Sequence, residues 1–276
     1  MPSKTDLQAV VDTQWLGDRL HDPNVRIVEV EMTPDHYQDA HIPGAVFWNV
    51  MTDLLLPDLR QNLDANHIEQ LLSRSGITNE TTVVAYGSYP GTGAWIFWLL
   101  ALFGHADVLL DGGHQKWMAE GRPVTSEFST FAPVEYQAKP LDTNLRILAD
   151  EVRIAIDRPD QVLLDVRTLQ EYQGEYFLMK PPEETERAGH IPRAIHLEHT
   201  LTLNEDGTFK STSELQKLFT SRGITADKEI FPYCAIGGRS AYMWFVLKYL
   251  LGYPNVRNYD GSWNEWSRLP NALIET

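Results

Sequence analysis

Residues 231–248 read FPYCAIGGRSAYMWFVLK. The apolar run that ends at Tyr233 predicts a buried strand, the two glycines predict a tight loop, and a helix is expected to begin near Arg239 or Ser240. The first residue of that loop is Cys234, the single cysteine among 276 residues. A strand, a loop and a helix in direct succession indicate an α/β protein.

The surroundings of Cys234 suit a reactive sulfur. Backbone N–H groups in such a loop lack strand or helix partners, so they can point at the sulfur, and the next helix adds the positive end of its dipole. A lone cysteine is more often a small buried apolar residue. The nearby glycines, basic residue and helix start favour a nucleophile instead, and we expect Cys234 to be catalytic. Because no lysine follows the glycines, a phosphate-binding P-loop is excluded.

The loop resembles the active-site loop of the rhodanese family, sulfurtransferases that carry sulfur as a cysteine persulfide. The matching pattern, Cys-x-x-Gly-x-Arg-Ser, falls on Cys234, Gly237, Arg239 and Ser240. Related phosphatases and arsenate reductases have five residues between the cysteine and the arginine, which lets their loop surround a tetrahedral oxyanion. Four residues separate them here, so the loop favours sulfur transfer over phosphate chemistry.

The second half of the chain repeats the first. His190-Ile191-Pro192 corresponds to His41-Ile42-Pro43, and residues 260–266 (DGSWNEW) correspond to residues 111–117 (DGGHQKW). The second half also carries an insertion between Gly174 and Gly189. Such a long internal repeat predicts a duplicated domain.

Strand and helix patterns alternate in each half. We therefore predict an α/β fold with two tandem rhodanese-like domains, each a small parallel sheet with helices on both faces. The predicted limits are 1–124 for an inactive domain, 125–145 for a linker and 146–276 for the catalytic domain. Gly87 stands in the first half where Cys234 stands in the second. An inactive first domain and an active second domain is also the arrangement that the resemblance implies.

The resemblance implies that Cys234 attacks a sulfane sulfur and holds it as a persulfide, which the loop N–H groups stabilise. The residues expected to bind substrate are Ala235, Ile236, Gly237, Gly238, Arg239, Ser240, Lys180, Arg187 and Trp263. Arg239 has two open roles, since it can bind an anionic donor or hold the shape of the loop by bonding to loop carbonyls or to a nearby carboxylate. Ser240 also suits a helix cap. Asp165 and Arg167 are expected to form a structural ion pair beneath the loop.

Charge and composition limit the partners. The formal charge of −15 and a pI near 4.9 argue against nucleic acid or an acidic membrane surface. A single cysteine excludes an internal disulfide and a second, resolving cysteine, so an outside acceptor must take the sulfur. The histidines lack metal-ligand spacing, and we expect no metal and no cofactor. Without a signal peptide or a long apolar run, the cytoplasm is the expected location.

The donor is the least determined feature. Thiosulfate, with cyanide or a thiol as acceptor, is the leading prediction. The alternatives are 3-mercaptopyruvate as donor and a persulfide carrier that serves a specific protein partner. The sequence departs from better-known family members at Ala235 and Ile236, and at Glu175, which stands where those enzymes place an arginine.

Overall fold

The structure is a computed structural model that describes residues 9–89, 91–105 and 107–276. The chain divides into two compact units, and each consists mainly of one half of the sequence repeat. Unit 1 contains Met1–Pro57, Asn62–Asp142 and Asn204–Phe209, and unit 2 contains Asp58–Gln61, Thr143–Leu203 and Lys210–Thr276.

Unit 1 is built on a parallel sheet. Its strands are β1 (Val10–Val11), β2 (Val25–Glu31), β3 (Val46–Asn49), β4 (Thr82–Tyr86) and β5 (Asp107–Leu110). They lie in the order β1-β5-β4-β2-β3, and every neighbouring pair is parallel. Because helices cover such sheets on both faces, a central strand can be apolar almost throughout, as β4 is with the sequence TVVAY.

The helices of unit 1 follow the sequence signals. They are α1 (Thr13–Gly17), α2 (Asp35–Asp39), α3 (Ala65–Arg74), α4 (Thr92–Leu102) and α5 (Gly113–Ala119). The side chain of Asp12 caps the start of α1 by accepting a hydrogen bond from the backbone N–H of Trp15. Helix α4 is apolar around its whole circumference and almost completely buried, which explains its uninterrupted hydrophobic sequence.

Unit 2 has the same core topology. Strands β6 (Gln161–Asp165), β7 (Ile195–His196) and β8 (Glu229–Tyr233) form a parallel sheet in the order β7-β6-β8, which matches β3-β2-β4 of unit 1. Where unit 1 continues with β5 and β1, unit 2 has two isolated parallel bridges, Ile230–Val256 and Arg146–Asn258. The helices are α6 (Ala149–Ala155), α7 (Leu169–Tyr172), α8 (Thr212–Thr220), α9 (Gly238–Phe245) and α10 (Ser262–Trp266).

Each unit has its own hydrophobic core. Trp117 lies in the core of unit 1, and Trp266, its counterpart in the repeat, lies in the core of unit 2. The predicted α/β class with two duplicated parallel sheets is therefore confirmed. Among the helices formed by the described residues, none has the length and apolar character needed to cross a membrane.

Candidate active site

Cys234 lies at the carboxyl end of β8, the edge where α/β proteins place their sites. The cysteine is 1% exposed. Helix α9 begins four residues later, at Gly238, with Gly237 as its N-cap. Gly237 has a φ of +97°, and a Cβ there would lie 2.7 Å from the carbonyl oxygen of Asp260. A residue without a side chain is therefore required at Gly237.

The carbonyl groups of the loop point away from its interior. Backbone N–H groups of Trp263 and Asn264 each donate at 2.9 Å to the carbonyls of Cys234 and Ala235. The carbonyl of Ile236 accepts from a side chain, that of Gln61. In a trans peptide the N–H points opposite to the carbonyl, so carbonyls held outside turn the loop N–H groups inward.

The sulfur of Cys234 receives one of these inward N–H groups. The backbone nitrogen of Gly237 lies 3.2 Å from Sγ. The hydroxyl of Ser262 lies 3.8 Å from the same sulfur, and it also accepts the N–H of Cys234 at 3.0 Å. The proton of this hydroxyl is donated to the carbonyl of Tyr259 at 2.8 Å, so the N–H of Gly237 is the group that stabilises negative charge on the cysteine and on an atom bound to it.

Arg239 is paired with a buried carboxylate. Its guanidinium donates two hydrogen bonds to Glu171 of α7, at 2.7 and 2.8 Å. Burial by itself would raise the pKa of Glu171, but the hydrogen bonds and the charge of Arg239 hold that pKa below its usual value. Glu171 is thus the nearby carboxylate that the loop-holding role of Arg239 requires.

Asp165 and Arg167 form a second buried ion pair in unit 2. Both side chains are fully buried, and their closest N–O distance is 2.6 Å. Arg167 also donates to the carbonyl of Gly189 at 2.7 Å, and its guanidinium lies over the ring of Trp263 at 4.6 Å from the ring centroid. Trp263 is itself 0% exposed, so its ring belongs to the interior beneath the loop.

The two basic residues of the insertion have partners of their own. Lys180 is half exposed and pairs with Glu183 and Glu186. Arg187 donates to carbonyls at the carboxyl end of the chain, those of Ser267, Leu269 and Ala272. The structure thus brings Ala235, Ile236, Gly237, Gly238, Arg239 and Ser240 together around Cys234, whereas Lys180 and Arg187 bind other groups. Their expected contact with substrate stays a prediction.

Sequence reasoning did not single out Ser262, Gln61, Glu171 or His199. His199 is 4% exposed, and burial together with the nearby charge of Arg239 lowers its pKa to about 4. The imidazole is therefore neutral, and its Nδ1–H donates to the carbonyl of Val166 at 3.0 Å. Only Ser262 had a usable sequence signal, because the repeat places Gly113 at the equivalent position.

The equivalent loop of unit 1 has no room for a nucleophile. A Cβ at Gly87 would lie 2.6 Å from the carbonyl oxygen of Val30 and 2.9 Å from the side chain of Thr92. The next N–H of the loop, that of Ser88, donates to the carboxylate of Glu31. Ser88 corresponds to Ala235 in the repeat, so a carboxylate of unit 1 itself binds the N–H group at this position of the loop.

Comparison with known proteins shows that this chain is of the sulfurtransferase class and has two domains of the same family. The chain belongs to the Rhodanese-like domain family, which matches residues 12–120 and again residues 148–269. The loop around Cys234 lies in the second match.

Relatives of full length support this membership. A protein of Thermus thermophilus named "Sulfur carrier protein TtuD" is 44% identical over 274 residues, covering 97% of this chain and 96% of that protein. A Mycobacterium tuberculosis protein named "Putative thiosulfate sulfurtransferase" is 43% identical over 270 residues, covering 96% and 97%. Among solved structures, the anaerobic ergothioneine biosynthesis enzyme from Chlorobium limicola, in complex with trimethyl histidine, is 25% identical. Its TM-score is 0.83, and the match covers 98% of this chain and 70% of that one.

Proposed function

We propose that this protein is a thiosulfate sulfurtransferase that works through a persulfide on Cys234. The observation that carries the proposal is the N–H of Gly237, which points at Sγ from 3.2 Å in a loop whose carbonyls are held outside. That arrangement stabilises a thiolate before the reaction and a terminal persulfide sulfur after it. The names of several relatives mention thiosulfate, which supports this choice of donor.

The reaction divides into two displacements. The thiolate of Cys234 attacks the outer sulfur of thiosulfate, a new S–S bond forms, and the old S–S bond breaks with its electron pair leaving on sulfite. The enzyme then carries a persulfide anion with one negative charge. In the second displacement, cyanide or a thiolate attacks the outer sulfur, and the bonding pair returns to Cys234. The product is thiocyanate or a new persulfide, and no oxidant or reductant is needed.

Mass spectrometry of the intact protein tests the proposal. Incubation with thiosulfate should add one sulfur atom to the wild type, and cyanide should then remove it with release of thiocyanate. Cys234→Ser should gain none. An added sulfur on Cys234→Ser, or a wild type that stays unmodified, would contradict the assignment.

A second function, persulfide delivery to a specific protein acceptor, is favoured by the name of the Thermus relative. The lone cysteine suits it, since the sulfur must leave to another molecule in either case. A carrier would load sulfur to one atom per chain but turn over cyanide slowly. Steady-state rates with thiosulfate, 3-mercaptopyruvate and each acceptor, measured beside the loading experiment, separate these functions.

A further inference from the structure

The carbonyl group of Ile236 is bound by a residue that lies 175 positions away in the sequence. Nε2 of Gln61 donates to this oxygen at 2.7 Å. Gln61 is 5% exposed and ends the short segment Asp58–Gln61, which belongs to unit 2 together with the loop. Asn264 fixes the other end of the segment, because its side chain donates to the carbonyl of Asp58 at 2.9 Å while its backbone N–H holds Ala235.

The carbonyl of Ile236 and the N–H of Gly237 are parts of the same peptide group. They point in opposite directions because the peptide is planar and trans. One side of this peptide therefore faces Gln61, and the other side faces Sγ of Cys234 at 3.2 Å. A hydrogen bond to the carbonyl also polarises the peptide, which strengthens its N–H as a donor.

We infer that Gln61 is a positioning residue for the chemistry of Cys234, acting through the Ile236–Gly237 peptide. Glycine rotates about its backbone more easily than other residues, so Gly237 alone does not hold this peptide in one orientation. The amide of Gln61 supplies that constraint from the outer side. This inference rests on the proposed function, in which the N–H of Gly237 stabilises the thiolate and then the persulfide.

The first half of the sequence offers an internal comparison. When the two halves are aligned so that Gly87 corresponds to Cys234, Pro90 corresponds to Gly237. Proline has no backbone N–H, so the peptide before it has no donor to direct at an anion. A side chain in the role of Gln61 would serve no purpose there. The positioning device is therefore specific to the loop that holds the nucleophile.

The test measures the reactivity of Cys234 itself, in the full chain and without any sulfur donor. Gln61→Met keeps the length of an unbranched side chain and removes the donor. Gln216→Met is the matched control. Gln216 lies on helix α8, and its side chain donates to the hydroxyl of Tyr253, so this variant also removes one side-chain donor. The rate of alkylation by iodoacetamide is followed from pH 5 to pH 9, and unfolding by urea is measured beside it.

We expect Gln61→Met to be alkylated about two- to fivefold more slowly than the wild type near neutral pH, and we expect its rate–pH profile to be displaced to higher pH. Both changes are those expected when one hydrogen bond to a thiolate is weakened. Gln216→Met should match the wild type. A purely structural role for Gln61 would lower the urea midpoint and leave the pH profile in place.

Gln61→Asn provides a second variant in case the methionine variant folds poorly. Its amide is one methylene short of the Ile236 carbonyl, so the same slower alkylation is expected. A wild-type pH profile in either folded variant would overturn the inference. The proposed function fails on a different result, the absence of an added sulfur on the wild type, so the two failures are distinguishable.

Discussion

Ser262 holds its hydroxyl 3.0 Å from the backbone nitrogen of Cys234 while its own backbone has a φ of +52°. In the repeat, Gly113 occupies the equivalent position with the same φ of +52°. Glycine adopts this left-handed conformation without strain, whereas another residue loses about 1 kcal/mol or more. Unit 2 thus maintains a strained serine, and the gain is a hydroxyl next to the backbone of Cys234.

Two substitutions separate the hydroxyl of Ser262 from the strain. Ser262→Gly removes both, and Ser262→Ala removes the hydroxyl alone. We expect both variants to lose about tenfold in kcat/KM with thiosulfate, because each lacks the group that binds the N–H of Cys234. Urea unfolding should show Ser262→Gly to be more stable than Ser262→Ala by about 1 kcal/mol. Equal stability of the two variants, or full activity in either, would contradict this account.

The ion pair between Arg239 and Glu171 predicts a coupled loss of stability and activity. Arg239→Ala leaves the carboxylate of Glu171 buried without its partner, which costs about 3 kcal/mol or more in the free energy of unfolding. The loop then loses its support, and the use of thiosulfate should fall with it. Urea unfolding and steady-state kinetics measure the two effects.

Lys180→Ala is the control for Arg239→Ala. Its ion pairs lie at the surface, where solvent screens the charges, so stability and thiosulfate kinetics should stay near those of the wild type. Unchanged thiosulfate kinetics in Arg239→Ala would show that the pair is dispensable. A larger loss in Lys180→Ala than in Arg239→Ala would assign the donor contact to the insertion instead.

The length of the loop predicts its chemistry. Four residues separate Cys234 from Arg239, and the guanidinium of Arg239 donates to Glu171. An aryl phosphate should therefore not be hydrolysed. Inserting one glycine after Gly237 displaces the start of α9 from the N–H that faces Sγ, and sulfur transfer should fall at least about tenfold. Rapid hydrolysis of p-nitrophenyl phosphate by the unmodified protein is the result that contradicts this reading.

The sequence predicted those parts of the fold that depend on local patterns. The strand–loop–helix around Cys234 follows from an apolar run and from the placement of glycines within a few residues. The duplication was visible because the same turns recur in both halves. In each case the physical cause lies in residues close together in the chain.

Partners that come from distant segments were not predictable in the same way. Nothing near Gln61 indicates that its amide binds the loop at Ile236, and nothing near Arg187 indicates that it binds carbonyls at residues 267–272. The hydrogen-bond partners of these two side chains could not be predicted from the sequence because they depend on tertiary packing. Ser262 is an intermediate case, since comparing it with Gly113 marks a position where a glycine was replaced against local preference.

A buried carboxyl group in unit 1 predicts a dependence of stability on pH. Glu29 lies on the central strand β2 and is 1% exposed. Tyr86 donates its hydroxyl to one carboxyl oxygen, while the other oxygen, Oε1, has no hydrogen-bond partner among the described residues. Burial raises the pKa of Glu29 to about 7; the hydrogen bond from Tyr86 opposes this rise, and the charge of Glu31 adds to it.

The sign of the effect follows from linkage. Between pH 4.5 and 7 the folded protein keeps a proton on Glu29 that the unfolded chain releases, so stability falls as the pH rises through this window. Glu29→Gln keeps an acceptor for Tyr86 and has no proton to lose. Relative to the wild type, it should gain about 3 kcal/mol in the free energy of unfolding between pH 4.5 and pH 8.

Urea unfolding at several pH values measures this difference, with Glu80→Gln, an exposed glutamate of the same unit, as the matched control. Other titrating groups contribute equally to the wild type and to both variants, so the difference isolates Glu29. A constant difference between Glu29→Gln and the wild type across pH 4.5 to 8 would mean that Glu29 has the same pKa in the folded and the unfolded protein. The opposite slope would require a cation near Oε1 that stabilises the carboxylate.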